Sequence, residues 1–188
     1  MTPTHTSTNT STRPPDAQLT HVGLYVQNLD TMVAFYTGLL GLEVTDSGNF
    51  HDGRITFLSR DPAEHHQLVL ISGRPQIGYS PVSQMSFRVG TLEDLQHYFR
   101  AVQQLGLRDL RPTNHGNSWS IYFLDPEGNR IEIYAVSPWY VSQPYLQPLD
   151  LATSAEQIRA STEAMVSSDA SFLPCATWQR ALAERLAR

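Results

Sequence analysis

The sequence predicts an α+β fold: two tandem βαβββ modules followed by a helical C-terminal extension. A strand, a capped helix and several further strands are written twice, at an offset of 63–66 residues. An internal repeat of that period marks a duplicated structural unit. After Tyr134 the composition changes to an aromatic, proline-broken stretch, Ser137-Pro138-Trp139-Tyr140 and Gln143-Pro144-Tyr145, and then to helical periodicity. Apolar residues make up 40% of the 188, with 11 glycines beside them, enough to build a core.

Residues 1–17 hold eight Ser or Thr between positions 2 and 12, then Arg13-Pro14-Pro15. Such a stretch buries nothing that offsets its ordering entropy, so a disordered tail is expected there. The folded part is expected over 18–136, as modules 19–74 and 82–136. In the first, His21-Val22-Gly23-Leu24-Tyr25-Val26 reads as a strand. Asp30 is placed as the cap of a helix whose apolar face carries Met32, Val33, Phe35, Tyr36, Leu39 and Leu40. Gly41 stands where a helix-ending glycine belongs. Strands near 43–47, 54–58 and 66–72 follow, set apart by Asp, Gly and Pro.

The second module opens on Gln84-Met85-Ser86-Phe87-Arg88-Val89. Thr91 and Asp94 have capping-box spacing, and Leu92, Leu95, Phe99, Val102 and Leu105 form the apolar stripe. Strands are expected near 107–111, 118–124 and 129–135, with Asp125-Pro126-Glu127-Gly128-Asn129 as the turn between the last two. The repeat superimposes His21 on Gln84, Val26 on Val89 and Phe57 on Phe123. In the extension, 137–188, helices are expected over about 153–167, with Ser154 as cap, and about 176–187. This extension is expected to pack over the modules or a partner subunit.

A net charge of −5 leaves no basic footprint for nucleic acid. All 13 basic residues are arginine, which removes chemistries that depend on a lysine ammonium. No apolar run approaches the roughly 18 residues of a membrane span, and no signal segment opens the chain. The single Cys175 suits a reducing compartment. A cytoplasmic location is therefore expected.

Histidines and carboxylates are the informative polar residues. His21 stands at the opening strand, His65-His66 at the last strand of module one, and Glu132 on the last strand of module two. Tyr122 lies ten residues before Glu132, with His115 in the loop before its strand. Strands of a curved sheet can converge such groups, and imidazole with carboxylate suits a divalent transition metal. Trp119, Trp139, Tyr140 and Tyr145 are open to two readings, as walls of an aromatic pocket or as core.

Phe35-Tyr36-Thr37-Gly38-Leu39-Leu40-Gly41-Leu42, His21 on the opening strand, and Asp125-Pro126-Glu127-Gly128-Asn129-Arg130-Ile131-Glu132 together resemble the vicinal oxygen chelate superfamily. That superfamily includes glyoxalase I, extradiol dioxygenases and the bleomycin- and fosfomycin-resistance proteins. The local similarity is greatest to extradiol dioxygenases of the catechol type. The resemblance implies a metal held by His21 and Glu132. It implies an acid-base role for His66 in His65-His66-Gln67-Leu68, and a substrate hydrogen bond from Tyr122. It places Gln84 where a second metal histidine is expected, as a weak or water-mediated third ligand. The implied cofactor is Fe(II), with Mn, Ni or Zn as alternatives. The implied partners are a small aromatic diol, dioxygen and a second copy in a homodimer. A glyoxalase- or isomerase-like enzyme, for which Gln84 speaks, and a metal-free binder of the bleomycin-resistance kind are the alternative functions.

Overall fold

The computed structural model describes residues 17–75 and 82–187. The expected tail, apart from Ala17, lies outside the described residues. Module one runs β1 (Val22–Val26), α1 (Leu29–Leu40), β2 (Glu43–Phe50), β3 (Gly53–Ser59) and β4 (Leu68–Ser72). Module two repeats it as β5 (Met85–Arg88), α2 (Leu92–Gln104), β6 (Arg111–Asn114), β7 (Ser118–Leu124) and β8 (Arg130–Val136). The extension carries β9 (Trp139–Tyr140), β10 (Gln147–Pro148), α3 (Ala155–Val166), β11 (Leu173–Pro174) and α4 (Cys175–Leu186).

The first sheet has the strand order β1-β4-β3-β2 and the second β10-β6-β7-β8-β5. In each module the opening strand lies parallel to the closing one, and the other pairs are antiparallel. The duplication is therefore real at the level of strand order. Alternating side chains give the central strands of the two sheets one apolar face, against a helix, and one open face, whereas β2 is exposed throughout. Leu24, Val26, Leu58, Leu68 and Leu70 pack with Met32 and Tyr36 of α1. Trp119, Ile121, Phe123, Ile131 and Ile133 pack with Leu92, Leu95 and Val102 of α2, and all belong to one continuous core.

The motif stretches of the two modules meet. The Tyr36 hydroxyl of α1 donates to Asp125 Oδ2 at 3.0 Å, and Glu127 Oε1 accepts the backbone N–H groups of Gln27 and Asn28. The turn at 125–129 thus clamps module one onto module two. Burial pushes the Asp125 carboxyl above its usual range, against the donors from Asn129, Tyr36 and Glu127. Gly41 is required where it stands: its φ is +64°, and a Cβ there would come within 2.8 Å of the Arg60 guanidinium.

Four expectations need correction. Asn28, not Asp30, caps α1: its extended backbone lets its side chain accept the Thr31 N–H, while Asp30, already in the first turn, pairs with Arg54. The strand expected near 107–111 begins at Arg111, because the chain turns after Gly106 (φ +61°) and again at Asp109 (φ +59°). His65 and His66 precede β4, which starts at Leu68. Finally, Phe57 is the structural equivalent of Tyr122 rather than Phe123. Phe57 pairs with Val69 beside Gly23, as Tyr122 pairs with Glu132 beside Ser86.

The extension docks on module two. Thr162 of α3 accepts hydrogen bonds from Asn114 Nδ2 and Trp119 Nε1, both at 2.9 Å, and β10 pairs with β6. Trp119 is buried core, and Tyr140 stacks on Trp178 of α4. Among the described residues no helix is long and apolar enough to cross a membrane.

Candidate metal and substrate site

The open face of the second sheet is organised in rows set by register. The central row reads Arg111, Tyr122, Glu132, Ser86 across β6, β7, β8 and β5. The row on one side carries Thr113, Ser120, Tyr134 and Arg88. On the other side lie Leu124 and Arg130, with Gln84 just ahead of β5.

Glu132 is the centre of this face and only 8% exposed. Its Oε2 accepts Gln84 Nε2 at 2.8 Å and the Ser86 hydroxyl at 2.5 Å, and its Oε1 accepts the Tyr122 hydroxyl at 2.7 Å. Burial first, then the hydrogen bond and charge of Glu132, hold the Tyr122 phenol well above its ordinary range, so it stays a donor. His115 sits behind it, with Nε2 2.8 Å from the Tyr122 hydroxyl and Nδ1 3.0 Å from the carbonyl of Tyr145 in the extension.

A second group of side chains lies on module one. The rings of His21 and His66 meet edge to face with centroids 4.4 Å apart, Phe57 packs 5.1 Å from His66, and His65 Nδ1 lies 2.9 Å from His66 Nδ1. Burial first, then the neighbouring imidazoles of His21 and His65, lower the pKa of His66. His21 and Gln84 line the same groove of about 1330 Å³, which Ser86 and Arg88 also border.

The structure thus joins Gln84, Glu132, Tyr122 and His115 in one hydrogen-bonded set and His21 with His66 in another, and of these Gln84 and His21 line the groove. Among the described residues, no three His, Cys, Asp or Glu side chains gather as a metal shell. Of the expected ligands, Glu132 and Gln84 are in direct contact, whereas His21 shares only the lining of the groove with Gln84. Glu132 is a nearly buried anion with neutral donors and no ion-pair partner among the described residues, and a buried charge is costly without one. Gln84 uses only its Nε2 in hydrogen bonds, leaving its amide oxygen for a cation, and His21 offers an imidazole. Ser86 and Arg88 escaped sequence reasoning. Their alternate positions after Gln84 on a strand were the available signal, because i, i+2 and i+4 share a face.

Comparison with known proteins agrees with this architecture. A family model described as Glyoxalase/Bleomycin resistance protein/Dioxygenase superfamily matches residues 18–133. The chain is 29% identical over 122 residues to biphenyl-2,3-diol 1,2-dioxygenase 3 of Rhodococcus globerulus, covering 62% of each protein. It is 25% identical over 118 residues to biphenyl-2,3-diol 1,2-dioxygenase 2 of the same organism, covering 60% of each. The chain therefore spans less than two thirds of the length of these relatives. Among solved structures, a glyoxylase/bleomycin resistance protein/dioxygenase domain from Frankia sp. EAN1pec matches with TM-score 0.56 and 19% identity, over 65% of this chain and 99% of that one. The fosfomycin resistance protein FosX from Listeria monocytogenes, solved with Mn(II) and sulfate, matches with TM-score 0.53 and 19% identity, over 65% of this chain and 95% of that one. At these identities the structural matches speak for the fold. The chain belongs to the glyoxalase/bleomycin resistance protein/dioxygenase superfamily.

Proposed function

We propose that the protein is a divalent-metal-dependent dioxygenase that cleaves a catecholic ring in the extradiol manner, working as a homodimer in the cytoplasm. The observation that carries this reading is the nearly buried Glu132, without an ion-pair partner among the described residues and bound by Gln84, Ser86 and Tyr122, with His66 packed beside His21 on the other module. The similarity to the two biphenyl-diol dioxygenases supports it.

His21, Gln84 and Glu132 would hold the metal, Fe(II) in this proposal, with Mn(II), Ni(II) or Zn(II) as other occupants. A metal bound there supplies the positive charge that favours the ionised diol at neutral pH. His66 accepts the diol proton on a ring nitrogen and later returns one. Tyr122, kept protonated, fixes the orientation of the Glu132 carboxylate and lends a hydrogen bond at the edge of the substrate oxygen. Phe57, on the face of His66, provides an aromatic wall for the ring.

A glyoxalase-type reading calls for a carboxylate ligand on the last strand of module one. The register puts Val69 at the place equivalent to Glu132, which favours the dioxygenase. The test is oxygen uptake with a panel of catechols after anaerobic iron loading, for wild type and Gln84→His. Imidazole is the better ligand for Fe(II), so iron occupancy and ring cleavage should both rise in the variant. Two proteins that stay inert with iron bound would sink the dioxygenase reading.

A further inference from the structure

We infer that the substrate carries an anionic group of its own, and that Arg88 receives it: the structure points to a catechol bearing a carboxylate. This rests on the catechol site proposed above and names its substrate class.

The chain as a whole is acidic, at −5, yet the open face around Glu132 carries three arginines, Arg88, Arg111 and Arg130. Two of them share a single carboxylate. Asp109 pairs with Arg111 Nε at 3.3 Å and with Arg130 Nη1 at 2.9 Å. Arg88 differs from both. It is exposed, and among the described residues its guanidinium makes no hydrogen bond and no ion pair. It also borders the groove that His21, Gln84 and Ser86 line.

Position makes this more than a loose surface charge. Ser86 bonds Glu132, and Arg88 follows two residues later on the same strand, so it projects from the same face. Arg88 is a diagonal neighbour of Glu132, with Cα atoms roughly 7–8 Å apart. A catechol whose hydroxyls face the proposed ligands Glu132 and Gln84 has its ring over this sheet face, where a ring substituent can reach the Arg88 side. Tyr134, opposite Arg88 in the register, lies along the way. A guanidinium offers a planar fork of donors that matches a planar carboxylate through two parallel hydrogen bonds. A neutral hydrocarbon substituent would leave that cation without a partner.

The test is anaerobic calorimetric titration of the Mn(II)-loaded protein with 3,4-dihydroxybenzoate and with catechol, for wild type, Arg88→Gln and Arg88→Lys. The readout is the ratio of the two dissociation constants. Wild type should prefer the carboxylate by about tenfold, the size of one charge-assisted contact. Arg88→Gln should bring the ratio to within about twofold of unity, and Arg88→Lys should retain part of it, since it keeps the charge but loses the fork. Equal binding by wild type, or a preference that persists in Arg88→Gln, overturns the inference. Oxygen uptake measured on the iron-loaded protein separates it from the reading beneath it. A carboxylate preference without uptake supports Arg88 and overturns the dioxygenase, whereas uptake on catechol without preference does the reverse. Binding of neither ligand overturns both.

Discussion

The open faces of the two modules share a register and differ in chemistry. The row Gly23, Val69, Phe57 in module one is Ser86, Glu132, Tyr122 in module two. The first row is apolar and its histidines come from the chain just outside the strands, at His21 and His66. The second row is polar, is carried on the strands themselves, and is closed by hydrogen bonds of 2.5–2.8 Å to one carboxylate. Duplication supplied two equivalent scaffolds, and only one received the anion. The difference teaches that a βαβββ unit sets places for side chains without setting their chemistry. Strand-borne groups locked by neighbours hold a geometry more tightly than loop-borne ones. Glu132 thus stands on a strand of module two, and His66 on the chain ahead of β4 in module one.

Exchanging the two equivalent positions breaks the comparison most severely. Glu132→Ala should lower divalent metal affinity by more than about 100-fold, beyond the loss of an outer hydrogen-bond partner. Val69→Ala should leave metal content unchanged and cost about 2 kcal/mol of stability. Metal analysis of the two purified variants decides this, and equal metal content in both would mean that the register difference has no functional meaning.

His66 sharpens the contrast next. Its pKa is held below the ordinary histidine value by burial and the neighbouring imidazoles, and in the proposed reaction the base form works. Catalytic rate is then present above that pKa and lost as pH falls through it, with the acid limb below about pH 6.5. His66→Gln should reduce kcat by about 100-fold and abolish the limb. A pH–rate profile with the limb intact in the variant assigns the base elsewhere.

The clamp between the modules gives smaller effects. Asp125→Ala strands the Tyr36 hydroxyl and the Asn129 donors, and should cost about 3 kcal/mol in urea unfolding. Tyr36→Phe removes one donor only and should cost about 1 kcal/mol. If Asp125→Ala were as mild as Tyr36→Phe, the turn at 125–129 would not be what holds the modules together.

Signals that are local in origin are legible in the sequence. Thr91 with Asp94 forms the expected capping box of α2, Ser154 caps α3, and Gly41 ends α1 in the left-handed conformation. Each depends on contacts within four residues or so, and so is written in neighbouring letters. Asn28 and Asp30 are both good cap residues two positions apart, and only the extended backbone of Asn28 decides between them. The wrong pairing of Phe57 with Phe123 came from matching letters, whereas register pairs Phe57 with Tyr122 across a difference in residue type.

By itself the sequence determined the period of the repeat, the apolar stripes of the helices, the punctuation between strands and the residue types able to bind a metal. These follow from periodicity and turn chemistry, which act over a few residues. Tertiary structure alone decided that Gln84 and Ser86 reach Glu132, that Arg88 stands unpaired beside them, and that the extension holds His115 through the Tyr145 carbonyl. Those neighbours are separated by 30 to 48 residues of chain. Their meeting is set by the parallel register of β5 on β8 and by the docking of the extension on module two, which no local pattern encodes.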